Sequence, residues 1–381
     1  MTSDLRAAFE ARIGEMAALL GEFVSIESPS LDKAAVDRMG ERVRHELIDL
    51  GAEVIVHPRA EVGDILEAHW NADAPGRPLL FVCHMDTVHP VGSIARNPLR
   101  EEQGRLYGPG SFDMKGGIVT MLTALRGLRE MGILPQRPLI ALLTSDEEIQ
   151  STHSRALIEE RAAGAALAMI LEPALPDGSV KTWRKAVGSF HVRTLGRAAH
   201  AGVEPEAGIN AVEEMAHQVI RLQALNDFKV GSTVTVGKVM GGTRSNVVPE
   251  QCDASVDARA MTAAEMERIS AAIRALRPVL PGAQVEVTGG FDRPPMERSE
   301  RMMATFAQAK AIAARHGLTL RESGTGGASD GNFTAALGTP TLDGLGPMGQ
   351  GAHTSHEHVI IGSLARSATL LAALVLDWPS A

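Results

Sequence analysis

Three short apolar runs in the first half of the chain predict buried β-strands. The runs PLLFVCHMDTV, PLIALLTSDEE and ALAMILEP are rich in Leu, Ile, Val or Ala, and each ends abruptly in acidic or imidazole side chains. Continuous apolar runs of this length are typical of parallel strands covered on both faces. Apolar residues at helical spacing in GGIVTMLTALRGLREMG predict a helix after the first run. Up to about residue 178 the alternating patterns therefore predict an α/β layer with a mainly parallel sheet.

The pattern changes between about residues 180 and 290. Four strand-like segments, SFHVRTLG, STVTVGKVMGG, QCDASVDARA and AQVEVTGG, are interleaved with two amphipathic helical segments. Beyond them a helical segment, ERMMATFAQAKAIAARHG, precedes the Gly-rich segment GTGGASDGN and a His-bearing C-terminal segment. We therefore predict a discontinuous catalytic domain, residues 1–178 and 292–381, with an inserted α+β domain at residues 179–291.

The N-terminal segment and the composition of the chain argue against several classes of protein. The N-terminal segment MTSDLRAAFEARIGEMAALLGEFV mixes charges with apolar residues, which predicts one amphipathic helix and no secretory signal. No stretch approaches the roughly 20 apolar residues that span a bilayer. A formal net charge of −9 disfavours nucleic acid and anionic lipid as partners. The two cysteines lie far apart and form no CxxC pair, so we expect a cytoplasmic protein without a disulfide framework.

Seven acidic or imidazole residues lie where chemistry is expected. They are His84, Asp86, Asp113, Glu147, Glu148, Glu172 and His353. Any one of the acidic residues, taken alone, is better explained as a solvated loop charge or a helix cap. The three strand ends, however, could converge on one crevice, where several carboxylates repel one another unless divalent cations lie between them. Two imidazoles with carboxylates and no cysteine suit zinc or cobalt better than magnesium.

Six motifs carry a resemblance to a known family. In chain order they are HMDTV, GPGSFDMKGG, TSDEE, LEP, GRAAHAG and GAHTSHE, and they span nearly the whole chain. This series resembles the zinc-dependent glutamate carboxypeptidase, aminoacylase and succinyl-diaminopimelate desuccinylase superfamily of metallopeptidases. The resemblance implies a zinc-peptidase-like α/β/α catalytic domain with a mainly parallel sheet. It also implies an inserted, ferredoxin-like α+β domain that serves as a lid and in dimerisation.

The same resemblance implies a metal site for two divalent ions, zinc or cobalt with zinc preferred. His84 and Glu172 would bind one ion. Glu148 and His353 would bind the other, and Asp113 would bridge both.

The ligand near the C-terminus has one rival. His356 follows His353 by three residues and is the alternative for the same coordination position. The motif favours His353, since GAHT followed by an acidic residue, here Glu357, is the family arrangement.

Three further residues receive catalytic roles from the resemblance. Asp86 would hydrogen-bond the free imidazole nitrogen of His84, fixing its tautomer. Glu147 would be the general base that takes a proton from the attacking water and returns it to the leaving amine. His200, in GRAAHAG, would stabilise the tetrahedral oxyanion, either within its own chain or from a partner subunit. A histidine that is merely hydrogen-bonded in a turn is the alternative for His200.

Four residues are weaker candidates for binding the substrate. Asn246 and Arg293 resemble family positions that face the substrate, and an arginine fork suits a carboxylate. Gly326 and Gly327 would let backbone amides approach the same carboxylate. Ordinary surface or turn roles are equally compatible with each of them.

The leading hypothesis is hydrolysis of a peptide or N-acyl amide bond next to a free α-carboxylate, as in glutamate carboxypeptidases. Glu172 followed by Pro173 resembles the carboxypeptidase-like and desuccinylase-like members, and GPGSFDMKGG and WRKAVGSF favour the glutamate carboxypeptidases. An N-acyl-amino-acid deacylase of the acetylornithine or succinyl-diaminopimelate type is an alternative, as is a catalytically silent relative that binds peptides or metals. A magnesium enzyme of phosphoryl transfer is disfavoured by the two histidines and by the absence of a GxxxxGK[ST] loop.

Overall fold

The computed structural model describes residues 5–135 and 137–379. The described chain forms two compact units. Unit 2 comprises Trp183–Glu297 and Thr325–Ala328, and unit 1 comprises the rest. The predicted division placed the inserted domain at residues 179–291 and the Gly-rich segment in the catalytic domain. The roles of unit 1 as catalytic domain and unit 2 as lid stay predictions.

Both units contain helices and strands. The helices in the described residues are α1 (Leu5–Glu10), α2 (Ile13–Ser25), α3 (Lys33–Asp49), α4 (Ser93–Arg96), α5 (Gly116–Glu130), α6 (Arg155–Gly164), α7 (Ala211–Gln223), α8 (Ala263–Arg274), α9 (Glu300–Arg315), α10 (Gly331–Ala336) and α11 (Ile361–Asp377). The strands are β1 (Glu53–His57), β2 (Ile65–Trp70), β3 (Leu79–His84), β4 (Arg100–Glu102), β5 (Arg105–Tyr107), β6 (Leu139–Thr144), β7 (Leu167–Ile170), β8 (Val180–Arg184), β9 (Ala186–Leu195), β10 (Thr233–Gly241), β11 (Gln251–Ala260), β12 (Gln284–Arg293), β13 (Glu322–Thr325), β14 (Thr341–Asp343), β15 (Gly349–Gln350) and β16 (His358–Ile360).

The large sheet has the order β1-β2-β6-β3-β7-β14-β8-β13. Its centre, β6-β3-β7-β14, is parallel. The predicted apolar runs are β3, β6 and β7, and every residue of these strands is buried. The prediction of a mainly parallel sheet built from them is confirmed.

Helices cover both faces of this sheet. Along β3, Phe81 packs into a core with α2, α5 and α11, whereas its neighbour Val82 packs into a second core with α6 and α10. Successive side chains of a strand point to opposite faces, so one apolar run supplies both cores. This is the α/β/α arrangement that the resemblance implied.

The N-terminal segment forms two helices, α1 and α2, where one was predicted; Met1 to Asp4 of that prediction lie outside the described residues. The helical hydrogen bonds of α1 end at Arg12, and those of α2 begin with the N–H of Met16 donating to the carbonyl of Arg12. The guanidinium of Arg12 pairs with Glu130 at the end of α5. Phe9 packs where a side chain on Gly127 of α5 would stand. The segment thus contacts α5 both at Phe9 and at Arg12, where α1 ends. The hydrophobic pattern alone does not reveal this break between the two helices.

Unit 2 has the order of elements β9-α7-β10-β11-α8-β12, and its antiparallel sheet is ordered β10-β11-β9-β12. This is the split-βαβ, ferredoxin-like topology. Its core is formed by alternate residues of the strands and by the apolar faces of α7 and α8. The four strands and two helices predicted for the inserted region are thus confirmed. Within the described chain, no helix is both long and apolar enough to cross a bilayer.

Candidate active site

The carboxyl ends of β3, β6 and β7 meet at one edge of the large sheet. The register pairs His84 with Thr144 and Val82 with Ile170, so the three strands end nearly level. Glu147 and Glu148 follow β6 by a short turn, and Glu172 follows β7. The sheet therefore delivers an imidazole and three carboxylates to one place.

One group of candidate ligands consists of His84, Asp113 and Glu172. Nε2 of His84 lies 3.2 Å from Oδ1 of Asp113 and 3.6 Å from Oε1 of Glu172. One ligand atom from each residue lies within 4.8 Å of the others, a spacing that suits a single ion. His84 is buried, with 1% of its side chain exposed.

A second group consists of Asp113, Glu148 and His353. Nε2 of His353 lies 3.3 Å from Oδ2 of Asp113 and 3.2 Å from Oε2 of Glu148. The two oxygens of Asp113 thus face one imidazole each, and Asp113 belongs to both groups. His353 has a positive φ of 64°, a strained conformation of the kind that collects at functional sites. Its rival His356 is exposed and belongs to neither group.

The structure thus brings together all five residues for which a ligand role is predicted. The grouping follows the predicted one, with Asp113 between two pairs; the ligand roles themselves stay predictions.

The electrostatics of both groups favour positive charge. Burial opposes ionisation of Asp113, but hydrogen bonds and charges from His353 and His84 outweigh it and hold its pKa well below the usual range. Hydrogen bonds to Asp113 and Glu148 raise the pKa of His353 to about 10. Burial disfavours the cation of His84, yet its bonds to Asp113 and Asp86 raise its pKa well above the ordinary value. Burial raises the pKa of Glu148.

The residues present fit a pair of divalent cations. Among the described residues, Oε1 of Glu148 is buried and has no hydrogen-bond partner, although an unpaired carboxylate oxygen is costly to bury. A cation would satisfy that oxygen. The donors of both groups are imidazole nitrogens and carboxylate oxygens, which suit zinc or cobalt.

Asp86 lies beneath this site, and its carboxylate does more than was predicted. The backbone N–H groups of Glu147 and Glu148 each donate to it at 3.2 Å, and the hydroxyl of Ser30 donates at 2.7 Å. Nδ1 of His84 lies 2.9 Å from the carbonyl oxygen of Asp86 and 3.5 Å from its carboxylate. Nδ1 of His84 therefore lies against both the main-chain carbonyl and the carboxylate of Asp86, and the predicted role of Asp86 in fixing the tautomer of His84 stays a prediction. The carboxylate anchors the turn that carries Glu147.

Glu147 stands beside the two groups but belongs to neither. Its place in the turn Glu147–Ile149 is set by the hydrogen bond to Asp86 and by the left-handed conformations of Gln150 and Ser151. The negative charge of Glu147 contributes to the raised pKa of His84, so its carboxylate lies within electrostatic reach of the site. A carboxylate in that position is available to exchange protons.

Ser30 is a residue of this site that sequence reasoning missed. It is buried and belongs to the segment before α3, whereas its acceptor Asp86 follows β3. Only the tertiary fold brings the two together, and ESPS carries no signal for it.

His200 and Asn246, predicted to act on the substrate, lie side by side in unit 2. The backbone of Ala201 donates to the carbonyl of Asn246 at 3.0 Å, and His200 forms a bridge with Val247. His200 is exposed, and its Nδ1 accepts the N–H of Gly202 at 3.1 Å. This contact leaves the proton on Nε2, so the ring is a hydrogen-bond donor at its outer end.

The other predicted substrate residues differ in their exposure. Arg293 is only 4% exposed, so its side chain offers little surface to a ligand in this structure. Gly326 and Gly327 are exposed, and their carbonyl groups face Arg259 and Arg184. The backbone N–H of Gly327 contacts Thr325 at a long 3.4 Å.

The model of peptidase family M20/M25/M40 matches residues 80–377 of this chain. The chain is a member of that family. Carboxypeptidase G2 of Pseudomonas sp. (strain RS-16) is 31% identical to this M20 peptidase over 382 aligned positions, which cover 97% of the chain and 91% of the relative. Acetylornithine deacetylase of Myxococcus xanthus is 28% identical and covers 78% of the chain and 79% of the relative.

A solved structure confirms the fold. The aminopeptidase PepT from Bacillus cereus ATCC 10987 superposes with a TM-score of 0.81 at 24% identity, covering 96% of this chain and 98% of that one. The family membership and the two groups of candidate ligands make this M20 peptidase a metal-dependent hydrolase.

Proposed function

We propose that this M20 peptidase is a dinuclear enzyme, with zinc preferred and cobalt acceptable, that cleaves a peptide or N-acyl amide bond next to a free α-carboxylate. The observation that carries the proposal is the position of Asp113 between two imidazoles, one oxygen toward each. A carboxylate shared in this way suits two ions side by side, an arrangement used to cleave unreactive amide bonds.

Glu147 is the residue that moves protons. When bound, the ions would lower the pKa of a water molecule and polarise the amide carbonyl. Glu147 accepts a proton from the attacking water and later delivers it to the leaving nitrogen. The carboxylate of Asp86 accepts the backbone N–H of Glu147 and so helps to hold the base in place.

Residues of unit 2 bind the substrate in this proposal. The Nε2–H of His200 donates to the oxyanion, from its own chain or from a partner subunit. Asn246 and the amides of Gly326 and Gly327 bind the polar end of the substrate. Arg293 takes part only if substrate exposes it, because it is buried here.

We infer a homodimer formed through unit 2. The strand β10 lies at the edge of the unit 2 sheet, so its backbone is available for pairing. Next to it are exposed apolar side chains, among them Val239 and Met240 on β10 and Ile220 on α7. A cytoplasmic location is supported by Cys83 and Cys252, which are buried free thiols.

A substrate panel tests the reaction. Purified protein, reconstituted with zinc or cobalt, is assayed on dipeptides and N-acyl amino acids, including N-acyl glutamates, and on the same compounds with an amidated carboxyl group. Cleavage of the free acids and at least tenfold slower cleavage of the amides supports the proposal.

The same panel separates the alternatives. Cleavage confined to N-acetylornithine or succinyl-diaminopimelate would assign the protein to the deacylases, which the likeness to the Myxococcus xanthus relative keeps as the second candidate. Two bound ions without hydrolysis of any compound would indicate a silent relative. Activation by magnesium alone would contradict the choice of metal.

A further inference from the structure

Glu357 is a buried carboxylate close to the candidate metal site that has no role in the proposed reaction. It lies just before β16, four residues after His353, and none of it is exposed. An ionised carboxylate is costly to bury unless its oxygens are hydrogen-bonded. The partners of Glu357 therefore indicate what it does.

Its two oxygens accept four hydrogen bonds. Oε1 accepts the backbone N–H groups of Phe112 and Asp113, both at 2.9 Å. Oε2 accepts the backbone N–H of Gly110 at 3.0 Å and contacts Nε2 of His89 at 2.6 Å. A carboxylate has about four acceptor positions, so all of them are used. Three of the four donors belong to the segment that carries Asp113.

The same carboxylate connects three parts of the site. His89 follows the strand that ends in His84, Asp113 belongs to both groups of candidate ligands, and Glu357 shares a short segment with His353. The main-chain carbonyl of Glu357 also accepts the N–H of Gly108 at 3.1 Å. The Asp113 segment, residues 108–113, is thus wrapped around Glu357 and donates hydrogen bonds to both the main chain and the side chain of that residue.

The wrapping requires glycine at one position. Gly110 has a φ of 69°, and a Cβ there would lie 2.6 Å from the side chain of Thr87. The segment therefore closes on Glu357 in one conformation that few other residues allow.

We propose that Glu357 is a positioning residue that sets the place of the bridging carboxylate of Asp113, and with it the spacing of the two metal sites. It acts through the main chain of Asp113 and touches neither ion. This inference rests on the proposed two-metal function. Comparable outer partners of metal ligands change affinity by about 10–100-fold when they are altered.

The decisive variant is Glu357→Gln, which keeps the size of the side chain but replaces one acceptor oxygen by an NH₂ donor. That donor would face either the amides of Phe112 and Asp113 or the amide of Gly110 and the imidazole of His89. In either orientation one pair of donors loses its acceptor. We expect about 10–100-fold weaker binding of zinc, measured by competition with a chelator. At saturating cobalt we expect a changed visible absorption spectrum, since the geometry at the ions differs.

Glu214 provides the matched control. It is fully buried in unit 2 and accepts the backbone N–H groups of Val279 and Leu280 at 2.9 and 2.7 Å. Glu214→Gln removes a comparable carboxylate without touching the ligands, so it should lower the melting temperature and leave zinc affinity and the cobalt spectrum unchanged. Glu357→Gln protein that is destabilised like the control, but binds zinc and cobalt as the wild type does, would overturn the inference.

Two further arms keep the test informative. Should Glu357→Gln not fold, His89→Ala removes one of the four hydrogen bonds, and we expect a smaller loss of zinc affinity with the same spectral change. Unaltered affinity and spectrum in His89→Ala would then reject the positioning role. Wild-type protein that binds no metal would instead refute the proposed function, so the two failures are distinguishable.

Discussion

In unit 1 the carboxylate of Asp86 is fully buried and accepts three hydrogen bonds, whereas in unit 2 the imidazole of His200 is exposed and accepts one. Buried charges must be compensated, and the groups that compensate them also fix them in place. An exposed donor meets no such requirement and adapts to what it binds. In the proposed function, this peptidase therefore keeps a rigid metal site in unit 1 and adaptable substrate contacts in unit 2.

Removal of the metal should have the largest effect, and it tests the metal site proposed for unit 1. We expect a chelator to abolish hydrolysis and to lower the melting temperature, because the carboxylates of Asp113, Glu148 and Glu172 then lack their cations. Adding back zinc or cobalt should restore both. The measurement is activity and thermal unfolding before and after chelation. Full activity in metal-free protein would refute a metal-dependent reaction.

Glu147→Gln should have the next largest effect. Loss of a general base costs typically about 10²–10⁴-fold in kcat, while the ligands remain intact. We expect two ions per chain by elemental analysis and nearly unchanged KM. The control is Glu15→Gln, an exposed glutamate of α2 with 74% of its side chain accessible. If Glu147→Gln instead loses metal, Glu147 is a ligand and the base must be sought elsewhere.

His200→Ala tests the proposed role of the exposed histidine of unit 2 as an oxyanion donor. Loss of one oxyanion donor typically lowers kcat by about 10²–10³-fold, and the metal content should not change. His191→Ala, another partly exposed histidine of unit 2, is the control and should retain activity. An unchanged kcat in His200→Ala would reject the role of His200 as an oxyanion donor. His200 would then serve only as the acceptor for the N–H of Gly202 in its turn.

A mixing experiment sharpens this prediction. Glu147→Gln and His200→Ala proteins are each expected to have low activity, but a heterodimer of the two contains one intact combination if His200 acts across subunits. We expect partial recovery of activity on mixing. Heterodimers that demonstrably form without recovering activity would place His200 in the site of its own chain.

The sequence predicted what depends on hydrophobic pattern and on residue type. β3, β6 and β7 could be found because their buried runs end in charged residues, among them the candidate ligands His84, Glu148 and Glu172. The other two candidate ligands, Asp113 and His353, and the division into two groups came from the resemblance to a known family. The main-chain partners could not be found in this way. Asp86 contacts the amide of Glu147 across 61 residues, and Glu357 contacts that of Phe112 across 245. Backbone donors have no signature in the sequence, so their acceptors look like ordinary acidic residues.

The smallest predicted effect compares two serines that donate to carboxylates at the same 2.7 Å distance. Ser30 donates to Asp86 in unit 1, and Ser232 donates to Glu265 in unit 2. Asp86 is fully buried, whereas 21% of the Glu265 side chain is exposed, so water replaces the lost donor more readily at Glu265.

We expect Ser30→Ala to lower the free energy of unfolding by about 1.5–3 kcal/mol, and Ser232→Ala by about 0.5–1.5 kcal/mol, as measured by urea denaturation. Only Ser30→Ala should also lower kcat, because the carboxylate of Asp86 holds the backbone of Glu147. Equal destabilisation with unchanged kcat in both variants would show that Asp86 does not position the base. The rigidity inferred for the metal site would then depend on its other contacts, with Glu357 the first to test.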